Sequence, residues 1–206
     1  MKHEWRKKEK DIYLPKNTPT IYNDSEKMYI TVRGKGHPDS EAFSMNIELL
    51  YALSYRIRMM PKNGVTPEGY YEYTVYLLEG IWDLSEEGRK FDYLDKNHFV
   101  YQLMIRQPHF MSGDLFTAAV EHVRAKKKQL PVDMAKFEQL SDGLCVQMMH
   151  NGSYDDEPAS IMLMDTYCEE HGFMRIDKRH KEIYITDARK TAPEKLKTVL
   201  RYKVSK

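Results

Sequence analysis

Apolar and polar positions alternate with two different periods along this chain, and the order in which the periods occur predicts its architecture. "KMYITVRGKG" (27–36) alternates as a strand and ends in a glycine turn. After the capping stretch "HPDSE", Phe43, Ile47, Leu50, Leu53 and Ile57 recur at helical spacing until Pro61. "YYEYTVYLLEGIWDL" reads as a long strand, with "NHFVYQLMIRQP" as its hairpin partner. A further helix, "SGDLFTAAVEHVRAKKKQ", follows with Phe116, Ala119, Val120 and Val123 as its apolar stripe.

The order then repeats. "KFEQLSDGLCVQMMHNGSY" reads as one strand closing on a glycine turn, and "DDEPASIMLMDTYCEEHGF" as a helix capped at Gly172. "KEIYITDA" and "LKTVLRYKV" supply two more strands around a turn at Pro193. Strand, helix, strand, strand occurs twice, a duplication of topology without obvious duplication of sequence. The expectation is an α+β fold of two tandem modules with antiparallel sheets around a central ligand cavity. Residues 1–26, with Pro15 and Pro19, read as an extended arm. Residues 27–130 form the first module with its extra helix, and 131–206 the second, within one domain.

Alternation in "EIYIT" puts Ile183 and Ile185 on one side and Glu182, Tyr184 and Thr186 on the other. If the isoleucines face the core beneath the helix, the opposite side turns Glu182 and Tyr184 toward a hollow shared by the modules. A buried carboxylate is rare unless paired, so Glu182 is a candidate to attract a cation or to activate a water. The plainer reading is a cross-strand ion pair to Arg201 or Lys203. Tyr70, Tyr71, Tyr73, Tyr76 and Trp82 are dense enough for an aromatic cage, or for ordinary cross-strand packing.

Bulk properties narrow the classes of function. Lys+Arg total 32 and Asp+Glu 31, so the chain lacks the basic excess of a general nucleic-acid or membrane-surface binder. The start has no apolar signal core, and no run approaches a transmembrane span, so a soluble cytoplasmic protein is expected. Fifteen Tyr are a heavy load that suits interfaces and pocket walls, or a tyrosine-rich sheet surface, and Met at 13 is also high. Cys145 and Cys168 do not make a metal knuckle, and His150, His171 and His180 have neither helical pairing nor cysteine company. No metal or other cofactor is expected. Neither a phosphate-binding glycine loop nor a GxSxG elbow occurs.

The stretches "HNGSYDDEP" and "EIYITDARKTAPEKLKTVLR" resemble the C-terminal half of GyrI-like small-molecule-binding proteins, and the first half resembles their stand-alone branch. Asn151 stands where that family more often has an apolar residue. The resemblance implies duplicated modules around a cavity for bulky hydrophobic or cationic aromatic ligands, with the cavity glutamate matching Glu182. It implies no direct nucleic-acid partner, since no DNA-binding extension is present. The stand-alone branch resembles hydrolases that open the cyclopropane of DNA-alkylating natural products of the yatakemycin and CC-1065 type. On that likeness Glu182 and Tyr184 are the catalytic candidates, Trp82, Tyr71 and Tyr73 the stacking surfaces, and Tyr154 a rim position. Passive sequestration of a drug, or protection of a target such as gyrase, are the competing expectations.

Overall fold

The computed structural model describes residues 2–206. In chain order the elements are α1 (Trp5–Lys8), α2 (Lys10–Tyr13), β1 (Thr20–Asp24), β2 (Lys27–Lys35), α3 (Glu41–Arg58), β3 (Leu78–Leu84) and β4 (Phe99–Arg106). There follow α4 (Gly113–Lys126), β5 (Lys136–Leu140), β6 (Gly143–Asn151), α5 (Glu157–His171), β7 (Met174–Arg175), β8 (His180–Tyr184) and β9 (Lys197–Ser205). The fold is α+β with antiparallel ladders, and β2-α3-β3-β4 is echoed by β6-α5-β8-β9. The chain divides into two compact units. One holds the N-terminal residues through Glu4, Lys27–Leu78 and Asp83–Leu140; the other holds Trp5–Glu26, Glu79–Trp82 and Ser141–Lys206.

In the first unit β2 lies between β4 and β5. Its register sets Ile30 opposite Ile105 and Val32 opposite Leu103, so these four share a side. Tyr101, two residues before Leu103, meets α3 from that side, with its ring edge-on to Phe43 at 5.0 Å and its hydroxyl 3.3 Å from Asn46 Nδ2. Leu50, Leu53 and Ile57 of α3 are fully buried there, as the helical spacing predicts, and so is Leu49, whereas Ile47 of the same predicted stripe is only half-buried. Gly34 stands opposite Tyr101, and a Cβ on it would overlap the Tyr101 ring. Only glycine fits.

Two long segments differ from their sequence reading. Of "YYEYTVYLLEGIWDL", only Leu78–Leu84 is strand. The tyrosine-rich half spends its backbone elsewhere. His3 N–H donates to Glu72 O (2.7 Å), Thr74 N–H to His3 O (2.9 Å), and Arg58 Nε to Tyr73 O (2.6 Å). "KFEQLSDGLCVQMMHN" is two strands, because Gly143 takes φ +63° and Asp142 N–H turns to the side chain of Asp24. Its first strand, β5, pairs with β2 in the first unit, and its second, β6, pairs in the other.

In the second unit the strand order is β1-β6-β9-β8, with residues 79–82 of β3 beyond β8 and β7 along the end of β9. Residues 5–24 are not a free arm. They form α1, α2 and the strand β1, which pairs with β6 from Thr20↔Gln147 to Asp24↔Gly143. Met164 and Cys168 of α5 pack on Val146, Met148, Leu200 and Tyr202. The register places Glu182 beside Leu200, which puts Glu182 on the α5 side of the sheet. Ile183 faces the other way with Val199, Lys181 and Arg201. The expected sidedness is therefore reversed. The reason is a second cover on that face: Gln147 Nε2 donates to Asp11 O (2.7 Å), and Arg201 Nη2 to Ile12 O (3.4 Å).

The side carrying Ile183 also holds a buried charge network. Lys181 Nζ sits 2.6 Å from Asp142 and 3.4 Å from Glu79, and Arg201 bonds Gln147 Oε1 (2.7 Å) and reaches Asp142 (3.3 Å). These residues are nearly inaccessible to solvent. Among the described residues no helix is long and apolar enough to cross a membrane.

Candidate functional site

Residue parity on β8 gathers the site. His180, Glu182 and Tyr184 alternate onto one side, and the ladder to β3 sets Trp82 beside His180 and Gly80 beside Glu182. Gly80 leaves no side chain across the ladder from the acid. Trp82 Nε1 donates to the Tyr184 hydroxyl at 2.8 Å, and that hydroxyl in turn hydrogen-bonds Glu182. The Tyr154 ring stands edge-on to Tyr184, centroids 6.0 Å apart at 84°. His180 Nε2 lies 3.0 Å from Glu182 Oε1. Sequence reasoning thus named four side chains that fold together: Glu182, Tyr184, Trp82 and Tyr154. The plainer reading of Glu182 does not describe it, since Arg201 is held by Asp142 and Gln147, and Lys203 donates to Ser141 O.

Glu157 is the acid that the sequence reading missed. It opens α5 immediately before Pro158, where an acidic residue reads as an ordinary partner of the helix dipole. The tight turn of residues 152–156 brings it in. His150 anchors that turn, its ring nitrogens 2.9 Å from Ser160 Oγ and 2.9 Å from Ser153 O. Glu157 ends 8% exposed, with a hydrogen bond to Glu182, while its Oε1 has no hydrogen-bond partner among the described residues. Burial first, then the charge of Glu182 and the bond shared with it, push the Glu157 carboxyl well above its ordinary 4.5. Burial, reinforced by Glu182, likewise raises the Tyr184 and Tyr154 phenols. Two adjoining carboxyls, one of them raised by burial, beside a tryptophan and two tyrosines, can serve acid–base chemistry or a cation.

Tyr71 and Tyr73 belong to the first unit, in an aromatic cluster of their own. Tyr71 stacks on His109 at 4.9 Å, and Tyr73 on Tyr76 at 6.3 Å, with Phe110 edge-on to both. Tyr73 is 1% exposed beneath the Arg58 guanidinium.

The sequence profile of the GyrI-like small molecule binding domain matches residues 17–204. The chain belongs to this family. A GyrI-like architecture is also what its structural relatives share. A protein described as a hydrolase from Listeria innocua is 34% identical, covering 100% of both chains with a TM-score of 0.91. An uncharacterized conserved protein from the same organism is 34% identical over 98% of this chain and 100% of its own, at 0.92. The C-terminal domain of EcmrR, at 14% identity and a TM-score of 0.51 over 92% of this chain and 98% of its own, shares the fold. Among curated proteins no sequence matches. As a GyrI-like domain the chain is a small-molecule binder.

Proposed function

We propose that the chain binds planar aromatic xenobiotics at the Glu157–Glu182 pair and hydrolyses the cyclopropane of alkylators of the yatakemycin and CC-1065 type. The observation that carries this reading is the buried carboxyl pair beside Trp82, Tyr184 and Tyr154. The hydrolase description of a Listeria relative supports it. The substrate class comes from the resemblance of the chain to the stand-alone GyrI-like branch.

The reaction needs little machinery. In these drugs a strained cyclopropane is fused to a cyclohexadienone, and opening it restores an aromatic phenol. Glu182 holds a water against the ring methylene and takes one of its protons as the new C–O bond forms. The carbon–carbon bond of the cyclopropane breaks, and its electron pair ends on the dienone oxygen, which is protonated to the phenol. Burial and the adjoining acid raise the Glu157 carboxyl, which favours its protonated form, while Glu182 acts as base. Tyr184, held by Trp82, fixes the Glu182 carboxylate, and the rings of Trp82 and Tyr154 offer edges and faces to the flat ligand.

Incubation with a cyclopropane-bearing alkylator, followed by ultraviolet absorbance and mass-resolved chromatography, tests this. The expected product is the phenol carrying one added water. Glu182→Gln should abolish its formation, by at least about 100-fold, while the drug still binds. Drug retained unchanged by the wild-type protein would refute hydrolysis and leave sequestration, which an anionic carboxyl pair beside aromatic rings favours for cationic ligands.

A further inference from the structure

The carboxyl pair has a third neighbour that ring opening does not use. His180 stands two residues before Glu182 on the same side of β8, and its Nε2 is 3.0 Å from Glu182 Oε1. One nitrogen of His180 and one carboxylate oxygen each from Glu157 and Glu182 all lie within 4.8 Å of one another. Glu157 and Glu182 are both 8% exposed. We infer that Glu157, His180 and Glu182 form a site for one divalent transition-metal ion of the zinc class.

Distance and donor type both favour that ion. Zinc bonds of about 2.0–2.2 Å set tetrahedral ligand atoms about 3.3–3.6 Å apart. The His180–Glu182 contact is already shorter than that, and the whole set closes around an ion by side-chain adjustment alone. One imidazole with two carboxylates suits zinc or cobalt. Calcium wants six to eight oxygens and magnesium a near-ideal octahedron rich in water, neither of which one half-buried imidazole and two buried carboxylates supply. Two carboxylates also neutralise a dication, so the complex places no net charge in a dry pocket.

A second observation points the same way. Glu157 Oε1 is buried and has no hydrogen-bond partner among the described residues, although its carboxyl belongs to the cluster. A buried acceptor left unmet is costly, and a bound ion is a standard reason for one. The ligands come from two rigid elements, β8 and the first turn of α5, and the Tyr184 hydroxyl steadies Glu182 from outside the set as supporting residues do around metal ligands. Ion and drug use the same carboxylates, so they exclude one another: the metal turns off the binding site proposed above. The site itself does not depend on that reading.

The experiment uses chelator-stripped full-length protein with no drug present. Cobalt(II) should give the intense visible bands of a low-coordinate site and saturate at one ion per chain, and zinc should displace it in calorimetry. Glu157→Gln and His180→Asn should each weaken binding by at least about tenfold, whereas His171→Asn, on the exposed end of α5, should leave it unchanged. Circular dichroism of each variant separates ligand loss from misfolding. Absence of saturable cobalt binding in the wild type, or loss of affinity in His171→Asn equal to that in His180→Asn, overturns the site. Ring opening by the stripped protein is scored separately, so either reading fails alone. Slowing of that reaction by zinc is the expected link, and a rate indifferent to saturating zinc refutes the exclusion.

Discussion

Gly34 shows how much a single residue can decide. Nothing in "ITVRGKG" distinguishes a glycine chosen for a turn from one chosen for space. The difference is the Tyr101 ring, which occupies the volume a Cβ would need. Gly34→Ala should therefore destabilise the first unit by about 1–3 kcal/mol through overpacking, read in urea unfolding. Pairing it with Tyr101→Leu should recover part of the loss, the signature of a direct clash. Glu157 makes the same point for function. From sequence it is one more acid in "DDEP", and only the fold sets it against Glu182. Glu182 itself was legible, because strand alternation marks a charge among β-branched neighbours. Its partner, lying 25 residues upstream in another element, has no such mark.

At the scale of elements, the second helix–turn unit is the one that shapes the site. His150, one residue before the end of β6, bonds the following turn at Ser153 O and α5 at Ser160 Oγ, and that turn aims Glu157. His150→Ala should cost about 1–3 kcal/mol and raise amide hydrogen exchange across residues 152–158 more than in the C-terminal half of α5. Equal exchange along the whole helix would show that the turn is held by something else. Helices proved easier to read, since a 3.6-residue period places α3 and the cap at Gly172 ends α5. Strands were harder. A period of two says nothing about which partner takes the backbone, so tyrosine-rich residues 70–76 alternate like a strand while bonding to His3 and Arg58. Nor does it say which side of a sheet a helix will cover, which is why Glu182 and Ile183 exchange their expected sides.

For the molecule as a whole, the duplicated strand–helix order and the two motif stretches made the family readable. The ion network of the second unit was not readable, because Asp24, Glu79, Asp142, Lys181 and Arg201 come from five separate strands or turns. Its weight should show in the pH dependence of unfolding. Burial alone would raise the Asp142 carboxyl, but the charges of Lys181 and Arg201 outweigh it and hold the group below its ordinary 3.8. The folded state then binds fewer protons than the unfolded one below that value. The stabilisation from Asp142 is full above pH 3.8 and is lost as pH falls through the lowered pKa. Asp142→Asn should flatten this acid limb and cost about 3–5 kcal/mol at neutral pH, because it removes the nearest carboxylate from the buried Lys181 and Arg201 and leaves them only the more distant Glu79 and Asp24. An unchanged limb would assign acid sensitivity to other carboxylates.

The stretch from Trp5 to Lys16 has a practical consequence. Trp5 and Tyr13 are buried against each other, and the Ile12 carbonyl accepts from the Arg201 guanidinium at 3.4 Å. Trimming the polypeptide back to Lys16 would spare every candidate side chain of the pocket yet unroof that guanidinium. A shortened product should accordingly melt early and be cut readily by proteases, so that weak drug capture by such a product would report a lost lid on the far side of the sheet and say nothing about the acids themselves.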